Sequence, residues 1–142
     1  MYQNRGVYTL FDGSIRAVAT LATMGIGTGR TIQGFGSPQL FDRSVVFYDD
    51  VDLVIYTDVN GTLERLIGPG DVIDGRTIRG VYMGPNSRSG NDLAFLAVST
   101  SATEATSDIY IAHIPAPATL APLALAGLLA TRRARRAGTG RA

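Results

Sequence analysis

Hydrophobic residues along most of this chain come in short runs, and Gly, Pro, Asn and Asp stand between the runs. Val54-Ile55-Tyr56-Thr57 is β-branched and aromatic, a composition that suits a pleated, half-buried surface. Asp58-Val59-Asn60-Gly61 follows it. Asn-Gly accepts positive φ at both positions and predicts a hairpin, with Leu63 to Ile67 as the return strand. Gly68-Pro69-Gly70-Asp71 ends that strand, and Asp74-Gly75 predicts a second turn. Ile78 to Met83 and Leu93 to Val98 read as two more strands, joined by a loop through Gly84-Pro85-Asn86-Ser87 and Ser89-Gly90-Asn91. Four punctuated strands of this kind have the layout of a propeller blade, and helical periodicity of any length occurs only near the C-terminus. The predicted fold class is all-β, with propeller-like antiparallel four-stranded repeats followed by a C-terminal transmembrane helix.

The runs recur in order. Gly29-Arg30-Thr31-Ile32-Gln33-Gly34 returns as Gly75-Arg76-Thr77-Ile78-Arg79-Gly80, and Ser44-Val45-Val46-Phe47-Tyr48 as Asp92-Leu93-Ala94-Phe95-Leu96. Gly6-Val7-Tyr8-Thr9 matches Val54-Ile55-Tyr56-Thr57 and then Asp108-Ile109-Tyr110-Ile111. A period of about 48 residues suits stacked supersecondary units or blades. Residues 1–113 are therefore expected to form about two such units, open or partial, because a closed ring takes roughly 4 to 8 blades. The open edges of such a pair invite pairing with another chain.

The C-terminal thirty residues have a different pattern. Residues 114–117, Ile114-Pro115-Ala116-Pro117, form a proline linker. Ala118 to Ala130 carries no charge and no strongly polar residue except Thr119. Arg132, Arg133, Arg135 and Arg136 then close the segment 118–136, and residues 137–142 are expected to be a disordered tail. A helix from Ile114 to Thr131 would reach about 27 Å, enough for a thin bilayer. Pro117 suits a first helical turn, and Pro122 is better tolerated there than further in. Guanidinium groups resist hydrocarbon, so the four arginines act as a membrane stop; the positive-inside rule places them in the cytoplasm and the body outside it.

Proline motif, short apolar helix and arginine cluster, in that order, resemble the PEP-CTERM sorting signal of bacterial exported proteins. The resemblance covers about Ile114 to Arg136, with Pro115, Ala116 and Pro117 where the family usually has Pro-Glu-Pro. It implies an exosortase-type sorting enzyme as partner, acting near the proline motif. Within the body, Tyr56-Thr57, Gly61-Thr62-Leu63, Gly70-Asp71, Asp74-Gly75 and Ser89-Gly90-Asn91-Asp92-Leu93-Ala94-Phe95 resemble the choice-of-anchor tandem-repeat proteins, best over about Leu53 to His113. That likeness implies a secreted or surface β-repeat protein and no particular activity.

Charge changes the picture in one respect. The chain of 142 residues has a formal net charge of +1, but five of its thirteen basic residues (Arg132, Arg133, Arg135, Arg136, Arg141) lie in the tail. The body then holds eight basic residues against twelve acidic ones, a balance of −4, which argues against a nucleic-acid partner. With no cysteine, disulfides, thiolate metal sites and cysteine nucleophiles are excluded. Met1-Tyr2-Gln3-Asn4-Arg5-Gly6 lacks the basic-then-apolar order of a signal peptide, although a sorted protein should carry one. The chain is accordingly expected to be part of a longer protein or to begin at an internal start.

Candidate chemistry is sparse. His113, the single histidine, falls at a strand end beside the linker. Asp49, Asp50 and Asp52 cluster, and Asp71 and Asp74 flank a turn; such carboxylates serve either Ca²⁺ or ordinary turn chemistry, and the spacing is not that of an EF-hand. Met24-Gly25-Ile26-Gly27-Thr28-Gly29 lacks the lysine of a phosphate loop and precedes a strand, so it reads as an inter-strand loop. Tyr8, Tyr48, Tyr56, Tyr82 and Tyr110 are either a carbohydrate-stacking face or cross-strand packing. No catalytic residue, metal or cofactor is expected. The function expected is that of an exported, non-enzymatic β-repeat protein anchored in the cell envelope. Two alternatives stand beside it: a module that binds carbohydrate, such as an extracellular polysaccharide, or protein; and a fragment of a larger propeller protein.

Overall fold

The computed structural model describes residues 5–11, 13–59, 61–100 and 104–116. Its strands are β1 (Gly6–Phe11), β2 (Ser14–Thr20), β3 (Gly36–Phe41), β4 (Ser44–Asp49), β5 (Val54–Val59), β6 (Thr62–Ile67), β7 (Val72–Ile73), β8 (Arg76–Tyr82), β9 (Arg88–Ser89), β10 (Asp92–Thr100) and β11 (Ala105–His113). Among the described residues all the strand pairings are antiparallel, and no helix occurs. The body is all-β. The apolar helix expected over 118–136 lies outside the described residues.

Turn chemistry sets the pairing. Asp74 and Gly75 both take positive φ (51° and 75°), the two-residue geometry whose twist matches flanking strands, and Ile73 pairs with Arg76 across them. Gly61 (φ 86°) follows the end of β5, and Val59 pairs with Thr62. The strands assemble into a β1-β2 hairpin, a β3-β4-β5-β6 meander, and a third sheet in the order β11-β10-β8-β7, with β9 also paired to β10.

Burial shows how the sheets meet. β4 is buried at every position and β5 at all but its last, so the central sheet is covered on both faces. On one face Val45, Phe47, Val54 and Tyr56 pack with Val7, Val18, Ala19 and Ile32. On the other, Val46, Tyr48 and Ile55 pack with Ile78, Val81, Leu93, Phe95 and Ala97. The central sheet is thus the middle of three layers, which is why its strands read as unbroken apolar runs rather than as alternation. By contrast, β10 alternates along its length, because its second face is open.

Polar groups tie the layers together. Arg16 on β2 donates to both oxygens of Asp58 on β5, at 2.8 and 3.0 Å, and Asp58 also accepts from the Gly61 N–H. Arg88 on β9 reaches Ser44 on β4, donating to its carbonyl at 3.0 Å and its hydroxyl at 2.5 Å, while the guanidinium stands 5.6 Å from the centre of the Phe41 ring. Desolvation pulls the Arg88 pKa below its ordinary value. Past β11, Ile114 is fully buried and its N–H donates to the Asn91 carbonyl at 2.7 Å, so the chain is pinned to the core just before Pro115.

Candidate functional site

The acidic cluster resolves into turn chemistry and one ion pair. β4 ends at Asp49, whose side chain turns inward and is fully buried. Its Oδ1 accepts from the N–H groups of Gly34 (2.9 Å), Val51 (3.0 Å) and Asp52 (3.3 Å), closing the β4–β5 connection as an Asx-type cap. Gly34 must be glycine here: a Cβ would lie 2.4 Å from the Asp50 backbone nitrogen and 2.6 Å from Asp49 Oδ1. Asp50 is exposed, while Asp52 is nearly buried and pairs with Arg30. Both oxygens of Asp71 accept from Arg65 Nη1, at 2.7 Å each, and Oδ2 also accepts from the N–H of Gly68. Among the described residues no group of three or more metal-ligating side chains converges.

The glycine-rich segment Met24–Gly29 is a loop, closed by the Gly25 N–H to the Arg30 carbonyl (2.8 Å) and by a bridge between Met24 and Thr31. It overhangs the end of β5–β6 and leaves a cleft of about 390 Å3 lined by Gly27, Thr28, Arg30, Asp52, Arg65 and Pro69. Two buried polar atoms at this cleft have no hydrogen-bond partner: Asp52 Oδ2 and Arg65 Nε. Burial first, and the Asp49 and Asp52 carboxylates after it, push the Tyr56 phenol above its ordinary pKa, against opposing contributions from Thr28 and Arg65. The cleft is polar and carries both signs of charge, already paired. It offers a donor and acceptor set for a hydroxyl-rich molecule, but no nucleophile beside a base. Sequence reading missed it because Arg30, in the glycine-rich loop, and Asp52, in the β4–β5 turn, are 22 positions apart and meet only when that loop packs over the central sheet; the repeated Gly-Arg-Thr-Ile string was the one signal pointing to Arg30.

The tyrosines do not form one face. Tyr48 and Tyr56 are buried on opposite sides of the central sheet, whereas Tyr8 and Tyr82 are exposed on the two outermost sheets. Burial pushes the Tyr48 phenol up to about 12, with the nearby Tyr82, Asp50 and Asp49 adding to it. His113 is exposed at the end of β11, its Nδ1 2.9 Å from Asp92 Oδ1 across the β10–β11 register. Of the sorting motif, Pro115 and Ala116 are exposed directly after the buried Ile114. Pro117 and the arginines Arg132, Arg133, Arg135 and Arg136 lie outside the described residues.

Comparison with known proteins adds no relative: no protein-family model, no curated protein and no solved structure matches this chain.

Proposed function

We propose that this chain is an exported, non-enzymatic β-repeat protein of the cell envelope or extracellular matrix, with propeller-like blades, delivered by its C-terminal segment. The observation that carries the reading is the sequence order of that segment: Pro115-Ala116-Pro117, a leucine- and alanine-rich stretch, then four arginines. The buried Ile114 and the exposed Pro115 and Ala116 are compatible with it, since a sorting enzyme needs the motif clear of the core. An exosortase-type enzyme is the proposed partner. The polar residues described above support a non-enzymatic role, because Asp49 caps a turn and Asp52, Asp58 and Asp71 pair with arginines.

The test is transfer of residues 112–142 to a periplasmic reporter. In a host with an exosortase the reporter should move into the membrane fraction, and replacing Arg132, Arg133, Arg135 and Arg136 together by glutamine should release it. A reporter that stays soluble with the intact segment would refute the proposal.

A second reading, a carbohydrate-binding module, draws support from the cleft between the glycine-rich loop and β6, with its unpartnered Asp52 and Arg65 atoms. Binding on a glycan array that survives Arg65→Ala would count against that cleft as the site.

A further inference from the structure

The three sheets share one register. In the β1–β2 hairpin Val7 pairs with Ala19 and Tyr8 with Ala17, the register slipping between them. In β5–β6, Ile55 pairs with Ile67 and Tyr56 with Arg65, with the slip at the same place and each residue 48 positions on. The pairs Leu40↔Val45 and Phe41↔Ser44 likewise return as Arg88↔Leu93 and Ser89↔Asp92. The stacked rings of Phe47 and Tyr56 (5.5 Å, 24°) return as Phe95 and Tyr110 (5.9 Å, 25°). Hence β1 is the counterpart of β5, β10 of β4, and β11 of β5.

This equivalence gives each sheet a front and a back. In the central sheet, Val45, Phe47, Val54 and Tyr56 face the β1–β2 hairpin in front. Val46, Tyr48 and Ile55 face the sheet behind. In that last sheet the counterparts of the front residues, Leu93, Phe95 and Tyr110, pack forward in the same way. The counterparts of the back residues, Ala94, Leu96 and Ile109, have no sheet behind them among the described residues. Ile109 is 76% and Ile111 73% exposed, and Leu96 stands beside Ile109 through the pair Leu96↔Ile109. At the opposite end of the stack, Val7 takes the inward role of Ile55. Tyr8, in the place of the buried Tyr56, points outward with Leu10 and Ile15, at 49%, 65% and 76% exposure.

Among the described residues the two outer faces of the stack are therefore a sheet back and a sheet front, the pairing of faces that the three sheets make twice internally, the outer front being built from the counterparts of β5 and β6. The back carries an apolar centre, with Asp92 and His113 paired at one margin and Arg79 bonded to Thr100 at the other. An exposed apolar group of this kind marks an interaction site. We propose that a second copy of this chain stacks head to tail here, placing its Tyr8, Leu10 and Ile15 on Leu96, Ile109 and Ile111 of the first. Because the two faces differ, the contact is heterologous: successive copies build a ring if the rotation closes and a filament if it does not. The occupant is a copy of this chain rather than an unrelated partner because the complementary front lies on the same polypeptide, in the same register.

The absence of cysteine makes the test direct. Full-length chain in mild non-ionic detergent is prepared as two pools, Ile109→Cys and Leu10→Cys, then mixed and gently oxidised. Disulfide-linked dimers with one member from each pool should dominate, and a chain carrying both substitutions should give a ladder of multimers. Leu96→Glu in the first pool should lower the mixed dimer about tenfold while circular dichroism and melting temperature stay unchanged. Absence of cross-links, dimers confined to the Ile109→Cys pool alone, or indifference to Leu96→Glu would each overturn the proposal.

Discussion

Phe47→Ala should lower the stability of the body by about 3–5 kcal/mol, a large share of the roughly 5–15 kcal/mol that holds a domain folded. Phe47 is fully buried in β4, the strand that is buried at every position. Its ring stacks on Tyr56 at 5.5 Å and meets Phe35 at 6.1 Å, and around it lie Val7, Val18 and Ala19 from the hairpin and Ile32 from the loop. Truncation removes the transfer free energy of the ring and leaves a cavity between two rigid sheets that cannot collapse into it. A urea titration followed by circular dichroism measures the effect, with Val72→Ala as the control, since an exposed strand position should shift stability by less than about 0.5 kcal/mol. A loss at Phe47 below about 1 kcal/mol would mean that the β1–β2 hairpin does not cover the central sheet in solution.

Asp49→Ala is the second large effect, about 3 kcal/mol, and it arises from hydrogen bonding rather than packing. One carboxylate oxygen gathers the N–H groups of Gly34, Val51 and Asp52 inside the protein. Alanine leaves those donors unmatched, the Gly34 donor in a buried position, and an unsatisfied buried donor is dearer than the net value of the bond it lost. Asp49→Asn keeps a carbonyl oxygen for the same three donors and should recover about half of the loss. Equal melting temperatures for the two variants would show that the cap geometry is not what Asp49 contributes.

The strands of the second half were legible because β-branched runs and two-residue turns are local signals. Val54–Val59, Thr62–Ile67 and Asp92–Thr100 contain the runs read from the sequence, and the Asp74-Gly75 turn falls where its residues require positive φ. The two-residue strands β7 and β9 were not legible; Val72–Ile73 and Arg88–Ser89 are extended only because a partner strand lies alongside. The acidic cluster left two readings open, and choosing between them needed the position of Gly34, fifteen residues before Asp49. The cleft was hidden for a similar reason, since Arg30, Asp52 and Arg65 come from a loop, a turn and a strand that only tertiary packing brings together. The tyrosines show the limit most plainly: Tyr8 and Tyr56 occupy matching places in matching strings, yet one is exposed and the other buried, because among the described residues only Tyr56 has a sheet in front of it.

Ile114 fixes more than the end of a strand. With its side chain locked in the core and its N–H held by Asn91, only Pro115, Ala116 and Pro117 separate the folded body from the leucine-rich segment, a span of about 10 Å when fully extended. Under the proposed anchoring the body has almost no slack. It would ride flush against the lipid headgroups with the Asp92–His113 corner downward, its strands held at a set tilt to the surface instead of swinging freely on a tether.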